Sequence, residues 1–491
     1  CPFTDDNHRL KGQDLPMKPF AVVLALVLTV PGAAQSSRHP AEDIFAAAVN
    51  ERGLQQLVRD LVALGPRMGG TPSGDEAAEF RRAYFQKVGL QASVIDDPAV
   101  LAHWESAWQL AIAPGGRLES AWPMGYSPSV PAQSAGRIVF VKDLAAAQAA
   151  PDWAGAVIYT PGAIGRAYQA IAKRPHRPLA LVTSAPHQIG KYMDVSRLSS
   201  LAAREDNPIA AFTVSYLDGE TLRAAAERGL SVEVALVSNL RRAPVKTTVA
   251  TITGADPAKY WLVCAHGDSD SGGPGADDNA SGEATVMEIA RVLTQLADTG
   301  DFKPRHSIKF VIWGSEYHSA RAWIEREGQA LSNLQGVLNF DETGTGAERE
   351  AIYFESNDVP WNKTLLGTLA QVGADYVGKP GFWPEYATNP SQGGTDSYAF
   401  LPKQYRGTDY TQLQIPSTTV YTAAWDKLAT LDQTEGWDVP GRPGARKVDI
   451  DYSLYYHSSG DTPENTTDRE PQNMVRAVKA VGLALLRLTG L

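Results

Sequence analysis

The chain has 491 residues, and 45 Lys and Arg against 55 Asp and Glu leave a formal net charge of −10. Hydrophobic residues make up 43% and charged residues 20%, a globular composition that excludes a disordered chain. The acidic balance argues against a nucleic-acid surface, and a cysteine count of two, Cys1 and Cys264, excludes a disulfide scaffold or a Cys-based zinc knuckle.

Residues 1–34 read as a leader. Residues 1–16 are polar and mixed, and Met17 is the expected start. Lys18, the apolar run from Phe20 to Val30 and the small residues Gly32, Ala33 and Ala34 follow it. A basic region, a short apolar stretch and a small-residue cleavage site form the pattern of a secretory signal peptide, so a secreted or periplasmic protein is expected. The run falls short of the about 20 apolar residues that a membrane span needs, so no stable membrane anchor is expected.

Residues 41–92 are expected to be helical. Ile44, Phe45, Ala48, Leu54, Leu57, Val58, Leu61 and Val62 fall at helical spacing, and Gly65-Pro66-Arg67-Met68-Gly69-Gly70-Thr71-Pro72 interrupts them. A second helix is expected over Asp75–Val88. From Ser93 to Asn239 short β-rich runs, Arg137–Val141, Gly155–Tyr159, Leu179–Val182 and Ile209–Val214, are split by Pro and Gly. A helix over Leu217–Arg228 and a strand over Ser231–Val237 follow, so 93–239 is read as a smaller inserted α/β domain. The main domain then comprises 35–92 and 240–491. In it strands Val245–Ile252, Trp261–Cys264, Ser307–Ile312 and Gly336–Phe340 alternate with helices Gly282–Leu296, Ser319–Leu331, Lys363–Val372 and Pro471–Leu488. That alternation implies an α/β fold with a mostly parallel, mixed central sheet covered by helices on both faces.

The chemistry-bearing residues sit where strands end, the place where open α/β sheets hold their ligands. Tyr260–Cys264 runs into Ala265-His266-Gly267-Asp268. His266 is a candidate imidazole ligand, and Asp268 is placed to accept its other ring N–H. Asp277 and Asp278 lie in the Gly-bounded run Pro274–Gly282, where a rigidly held carboxylate can bridge two cations. The next strands end in Glu316-Tyr317-His318 and Asp341-Glu342, and Tyr456-His457-Ser458 supplies a second imidazole. Two His, two Asp and a Glu form a donor set suited to Zn²⁺. Taken singly each has a bland reading, since a lone His after a strand and an Asp-Asp-Asn loop are commonly structural.

This ordered set resembles the co-catalytic zinc exopeptidases, the family of secreted bacterial leucyl aminopeptidases and of plasma and membrane glutamate carboxypeptidases. The likeness rests on Ala265-His266-Gly267-Asp268, Pro274–Gly282 and Tyr456-His457-Ser458. It is looser at Asn339-Phe340-Asp341 and at Gly393-Gly394-Thr395-Asp396-Ser397. It covers most of the chain after Arg241 and the Gly65–Thr71 turn. It implies the phosphorylase/hydrolase-like exopeptidase fold, with 93–239 similar to a protease-associated domain. It further implies two zinc ions, with Asp278 bridging, His266 and Asp341 on one, and His457 on the other. Glu316 would be the base and Asp268 the partner of His266, with Asp277, Asp396 and Tyr456 supporting ligands or substrate. The family pattern has Glu-Glu where this chain reads Glu316-Tyr317. Three outcomes follow: His318 replaces the second carboxylate, Glu316 slides into the ligand role, or the second ion binds weakly.

The implied activity is removal of N-terminal residues from peptides by a metal-activated water. Three rivals stand beside it. A dipeptidase or carboxypeptidase would grip a free carboxylate, with Lys403 and Arg406 as candidates. A binding homologue would have lost catalysis along with the second Glu. A one-zinc acyl-transfer relative of the glutaminyl cyclases would release a cyclised product. The run Gly267-Asp268-Ser269-Asp270-Ser271-Gly272-Gly273 is superficially similar to a serine-protease motif, but its spacing is wrong. Phe382, Trp383, Tyr386, Tyr398, Phe400 and Tyr405 either line an apolar pocket or pack a loop core.

Overall fold

A computed structural model describes residues 38–142, 153–162, 164–184, 193–345, 351–355, 359–389, 395–402, 404–405, 408–422 and 455–490. The leader pattern at Met17–Ala34, Gly393 and Gly394, and the candidates Lys403 and Arg406 lie outside them, as do the side chains of Tyr386 and Tyr405.

The apolar spacing near the N-terminus yields helices Glu42–Ala48 and Glu51–Ala63. Asn50 caps the second, its side chain accepting the Gly53 N–H at 3.1 Å. Thr71 caps Pro72–Lys87, which starts on the proline because a first-turn N–H needs no intrahelical partner.

Fourteen of the described strands form one mixed sheet, and Gln404–Tyr405 and Thr408–Asp409 pair separately. At its centre Asp256–His266 lies between His306–Trp313 and Leu334–Phe340, parallel to both, and Leu334–Phe340 is parallel to Ser417–Tyr421. Helices Gly282–Thr299, Lys363–Tyr376 and Gln472–Thr489 bury their apolar faces in one cluster with Val263, Phe310, Leu338 and Val420. A second cluster on Leu262, Val311 and Val337 includes Trp323 and Ile324 of helix His318–Glu327. The sheet is thus covered on both faces. Each fully buried Leu, Ile or Val is worth about 1.5–3 kcal/mol, and this packing fixes the three parallel strand ends.

The 93–239 stretch has apolar clusters of its own. One joins Leu110, Ile138, Val157, Val182, Phe212, Leu222 and Val234, and another joins Trp153, Tyr168, Leu181 and Ile209. Strands Val130–Phe140, Val157–Pro161, Ala180–Ser184 and Ala210–Val214 pair in parallel sequence there.

The expected strands Ser231–Val237 and Val245–Ile252 are one strand, Ser231–Ile252. It pairs antiparallel with Gln91–Ala113 from Gln91↔Thr251 to Ala113↔Ser231, with register shifts at Asp97/Val100 and Glu105/Ala107. Polar Ser238, Asn239, Arg241 and Arg242 suggest a break in the sequence, but backbone ladders form regardless of side-chain polarity where the ribbon is solvated. At one end Ser231–Ile252 pairs with His306–Trp313, and at the other with Val130–Phe140.

Candidate metal centre

Three parallel strands deliver their C-terminal ends to one edge. His266 is the last residue of Asp256–His266, Asp341 follows Leu334–Phe340, and Glu316 lies three residues past Trp313. The loop Ala276–Ser281 brings Asp278 against them, every residue of it buried. Its entry turns at Gly275, with φ +60°, where a Cβ would lie 2.6 Å from the Asp278 carbonyl oxygen. Only glycine allows that turn at that separation.

His266 Nε2 lies 3.3 Å from Asp278 Oδ1 and 3.4 Å from Asp341 Oδ1. The other oxygen of Asp278 lies 3.0 Å from His457 Nε2. One buried carboxylate therefore spans two imidazoles. Donor atoms of His266, Asp278 and Asp341 all fall within 4.8 Å of one another, and buried Asp341 Oδ1 has no hydrogen-bond partner. A nitrogen and two carboxylates converging on one small volume fit a divalent cation of the zinc type.

The other ring nitrogen of His266 is 3.0 Å from the Asp268 carbonyl oxygen and 3.3 Å from Asp268 Oδ1. The expected carboxylate contact is present, and the backbone carbonyl lies closer. Asp268 Oδ1 also accepts the Glu316 N–H at 2.8 Å, so one carboxylate orients both the imidazole and the chain of the Glu.

The electrostatics are those of a cage of negative charge. Burial opposes charge on His266, but the Asp341 carboxylate nearby and the contacts with Asp268 and Asp278 outweigh it and hold the imidazolium well above its usual range. Burial would raise Asp278, yet bonds to His266 and His457 hold it below the usual carboxylate range. Burial raises Glu316 well above the ordinary value; Asp396, Asp341 and Asp268 reinforce this and His266 opposes it. Asp277, buried with its carboxylate on Thr345 and Gly344, is pushed up to about 7. A bound cation inverts this local logic by supplying the missing positive charge.

Tyr317 is buried, with φ +55°, and donates its N–H to Asp396 Oδ1 at 2.8 Å. Burial, with Glu316 and Asp396 beside it, raises its phenol far above the usual range, so it stays neutral. His318 points elsewhere, its Nε2 lying 2.8 Å from the Pro98 carbonyl oxygen. Tyr456 stacks on His457, ring centroids 3.5 Å apart. The aromatic candidates split between packing clusters: Trp383 and Phe382 pack with Tyr376, and Phe400 lies in the other sheet-face cluster. Tyr398 meets Tyr317 edge-on at 6.2 Å.

Two supports have no counterpart among the residues chosen from sequence. Buried Glu283 pairs with Arg67 at 3.3 Å and Arg81 at 2.5 Å. Arg67 also donates to the Pro274 and Gly275 carbonyls at 3.0 and 2.7 Å, and Arg81 to the Gly267 carbonyl at 2.8 Å. This triad ties the His266 loop to the Asp278 loop. A Cβ at Gly267 would fall 2.3 Å from the Arg81 guanidinium and displace that arm of the triad. Asp461 accepts the Asp277 and Asp278 N–H groups at 2.8 and 3.0 Å. Its place in a Gly-bounded turn four residues past His457 was the available signal.

Residues 247–482 match the model of peptidase family M28. Leucine aminopeptidase 2 of Arthroderma otae is 23% identical over 260 residues, 51% of this chain and 47% of that one. Aminopeptidase NAALADL1 of Rattus norvegicus is 35% identical over 108 residues, 22% of this chain and 14% of that one. The chain spans about half the length of the fungal relatives it matches. Among solved structures, a peptidase M28 precursor from Shewanella amazonensis aligns with TM-score 0.63 and 17% identity, covering 92% of this chain and 96% of that one. A zinc aminopeptidase from Bacillus subtilis aligns with TM-score 0.60 and 17% identity, covering 90% and 96%. These likenesses establish the fold: a mixed α/β sheet, mostly parallel at its centre, with helices packed against it.

Proposed function

With residues 247–482 matching peptidase family M28, we propose that the chain is a zinc-dependent exopeptidase that removes N-terminal residues from peptides. The observation that carries this reading is the two-sided use of Asp278, with His266 and Asp341 beyond one oxygen and His457 beyond the other. In this reading His266, Asp278 and Asp341 hold one zinc ion, and His457 shares Asp278 toward a second. The neutral phenol of Tyr317 and the outward turn of His318 leave that second position poorer in charge, so its ion binds more weakly. Zinc bound there would polarise the scissile carbonyl and lower the pKa of a bound water.

Glu316 is the base of this scheme. Burial raises its pKa above the ordinary carboxylate range in the metal-free chain, and with a cation bound its carboxylate would take a proton from the attacking water and return it to the leaving amine. Asp268 holds the Glu316 backbone and steadies the His266 ring. Export fits the scheme through the Lys18–Ala34 pattern. Among the described residues no helix is long and apolar enough to cross a membrane.

The test is hydrolysis of a panel of amino-acid p-nitroanilides and dipeptides by purified protein, with zinc content measured in parallel. Chelation is expected to abolish release of free amino acids and added zinc to restore it. Glu316→Gln is expected to lower kcat about 10²–10⁴-fold with zinc content unchanged. Full activity in that variant removes the base. Preference for free dipeptides or C-terminal residues selects the carboxypeptidase alternative, and zinc uptake without turnover selects the binding homologue.

A further inference from the structure

The turn that carries His457 is held by chain from the 93–239 stretch. Leu198 donates its N–H to the His457 carbonyl at 2.8 Å, and Ser459 donates its N–H to the Ser196 carbonyl at 2.9 Å. Ser196 donates its N–H to Ser459 Oγ at 3.1 Å, and Arg197 and Ser458 face each other in an antiparallel bridge. The residues 195–198 thus lie along 457–460 as a short strap. Val195 closes it, since a Cβ at Gly460 would fall 2.7 Å from Val195 Cγ1.

The strap is anchored at both ends. The Ser196 hydroxyl bonds the Ser120 carbonyl, and the Ser120 hydroxyl accepts the Ser215 N–H at 2.8 Å. Further along, Gly125 donates to the Ser199 carbonyl at 3.1 Å and accepts from the Leu201 N–H at 2.9 Å. His457 itself has φ +49°, a left-handed backbone that a residue with a β-carbon keeps only when its surroundings hold it. Leu198 lines the same pocket as His457, Asp278 and Asp461.

We propose that Val195–Leu198 is a positioning element for the weaker metal position. It fixes the backbone from which the His457 imidazole reaches Asp278, so the 93–239 stretch helps build the metal centre as well as bordering it. This inference rests on the metal reading above. It adds selectivity: the contacts described around His266 come from Arg81 and Asp268, with Glu283 behind Arg81, none of them in 93–239 or in the 457–461 turn that the strap holds. Disturbing the strap should therefore loosen one ion and spare the other.

The test is zinc titration of the metal-free full chain by calorimetry, with folding checked by circular dichroism. Leu198→Pro removes the N–H donated to His457, Ser459→Ala removes the acceptor for Ser196, and Leu198→Ala keeps the donor while shortening the side chain. Wild type and Leu198→Ala are expected to bind two zinc ions. Leu198→Pro and Ser459→Ala are expected to keep the tighter ion and bind the other about 10–100-fold more weakly, the usual cost of losing support behind a ligand. If Leu198→Pro does not fold, Ser459→Ala carries the test. Two ions bound at wild-type affinity by the folded strap variants overturn the proposal and leave the peptidase reading standing. One ion bound alike by every form also overturns the strap, and no zinc uptake by wild type overturns both.

Discussion

Asp461 accepts the backbone N–H of Asp278 at 3.0 Å across a separation of 183 residues. The same carboxylate takes the Asp277 N–H with its other oxygen, so the loop that presents Asp278 is clamped from the segment that presents His457. Burial and the neighbouring Asp277 carboxylate raise the Asp461 pKa well above the ordinary value.

Asp461→Ala leaves two buried N–H groups without acceptors. Zinc affinity is expected to fall about 10–100-fold, and stability by about 1–3 kcal/mol for each unsatisfied donor. Calorimetric zinc titration and urea unfolding of the metal-free protein measure the two effects separately.

Glu283→Gln removes the charge between Arg67 and Arg81, which are both almost wholly buried. Leaving those cations without their counter-ion is expected to cost about 3–5 kcal/mol. Removing Asp206 from the exposed Arg204 pair should cost no more than about 1 kcal/mol. Urea midpoints at constant m-value decide between the two scales.

Tyr317→Glu places a carboxylate where the phenol now lies beside Glu316. The Tyr317 N–H bond to Asp396 is made by the backbone and survives the change. The expected outcome is tighter binding of the weaker zinc ion, about tenfold or more, with the tighter ion unchanged. A titration in which neither affinity moves would show that this position does not face the metal.

Asp396 links to pH. Burial, reinforced by Asp268 and Asp341 and opposed by His266 and the Tyr317 N–H, pushes its carboxyl up to about 7. A folded-state pKa above the unfolded value gives stability that is complete below about pH 4 and is lost as pH rises through about 7. Tm of the metal-free wild type should therefore decline more steeply over that window than Tm of Asp396→Asn. Saturating zinc should flatten the difference, because the cation offsets the crowded carboxylates.

The central sheet and the convergence at its edge were legible because apolar strands ending in His266, Glu316 and Asp341 stand out from their surroundings. Gly-bounded Asp278 was legible for the same reason. Arg67, Arg81 and Glu283 were not, since a charged residue in a sequence looks the same whether it is solvated or buried beside its counter-ion. The Val195–Leu198 strap was invisible for a different cause. Its bonds are mostly backbone to backbone, and those leave no mark in residue identity. The long Ser231–Ile252 strand was divided in the sequence reading because its polar middle lacks the apolar pattern that marks a strand packed on a core.

That strand and its partner Gln91–Ala113 run, through two register shifts, from the edge of one set of packed layers into the other. A clean excision at residues 93 and 239 would cut through both members of the ladder and strip an outer rung from the remaining sheet. Heat meets the same constraint, because neither core can melt without fraying the boundary of its neighbour. A single calorimetric endotherm is the expected signature, and the two halves of the molecule share one thermal fate.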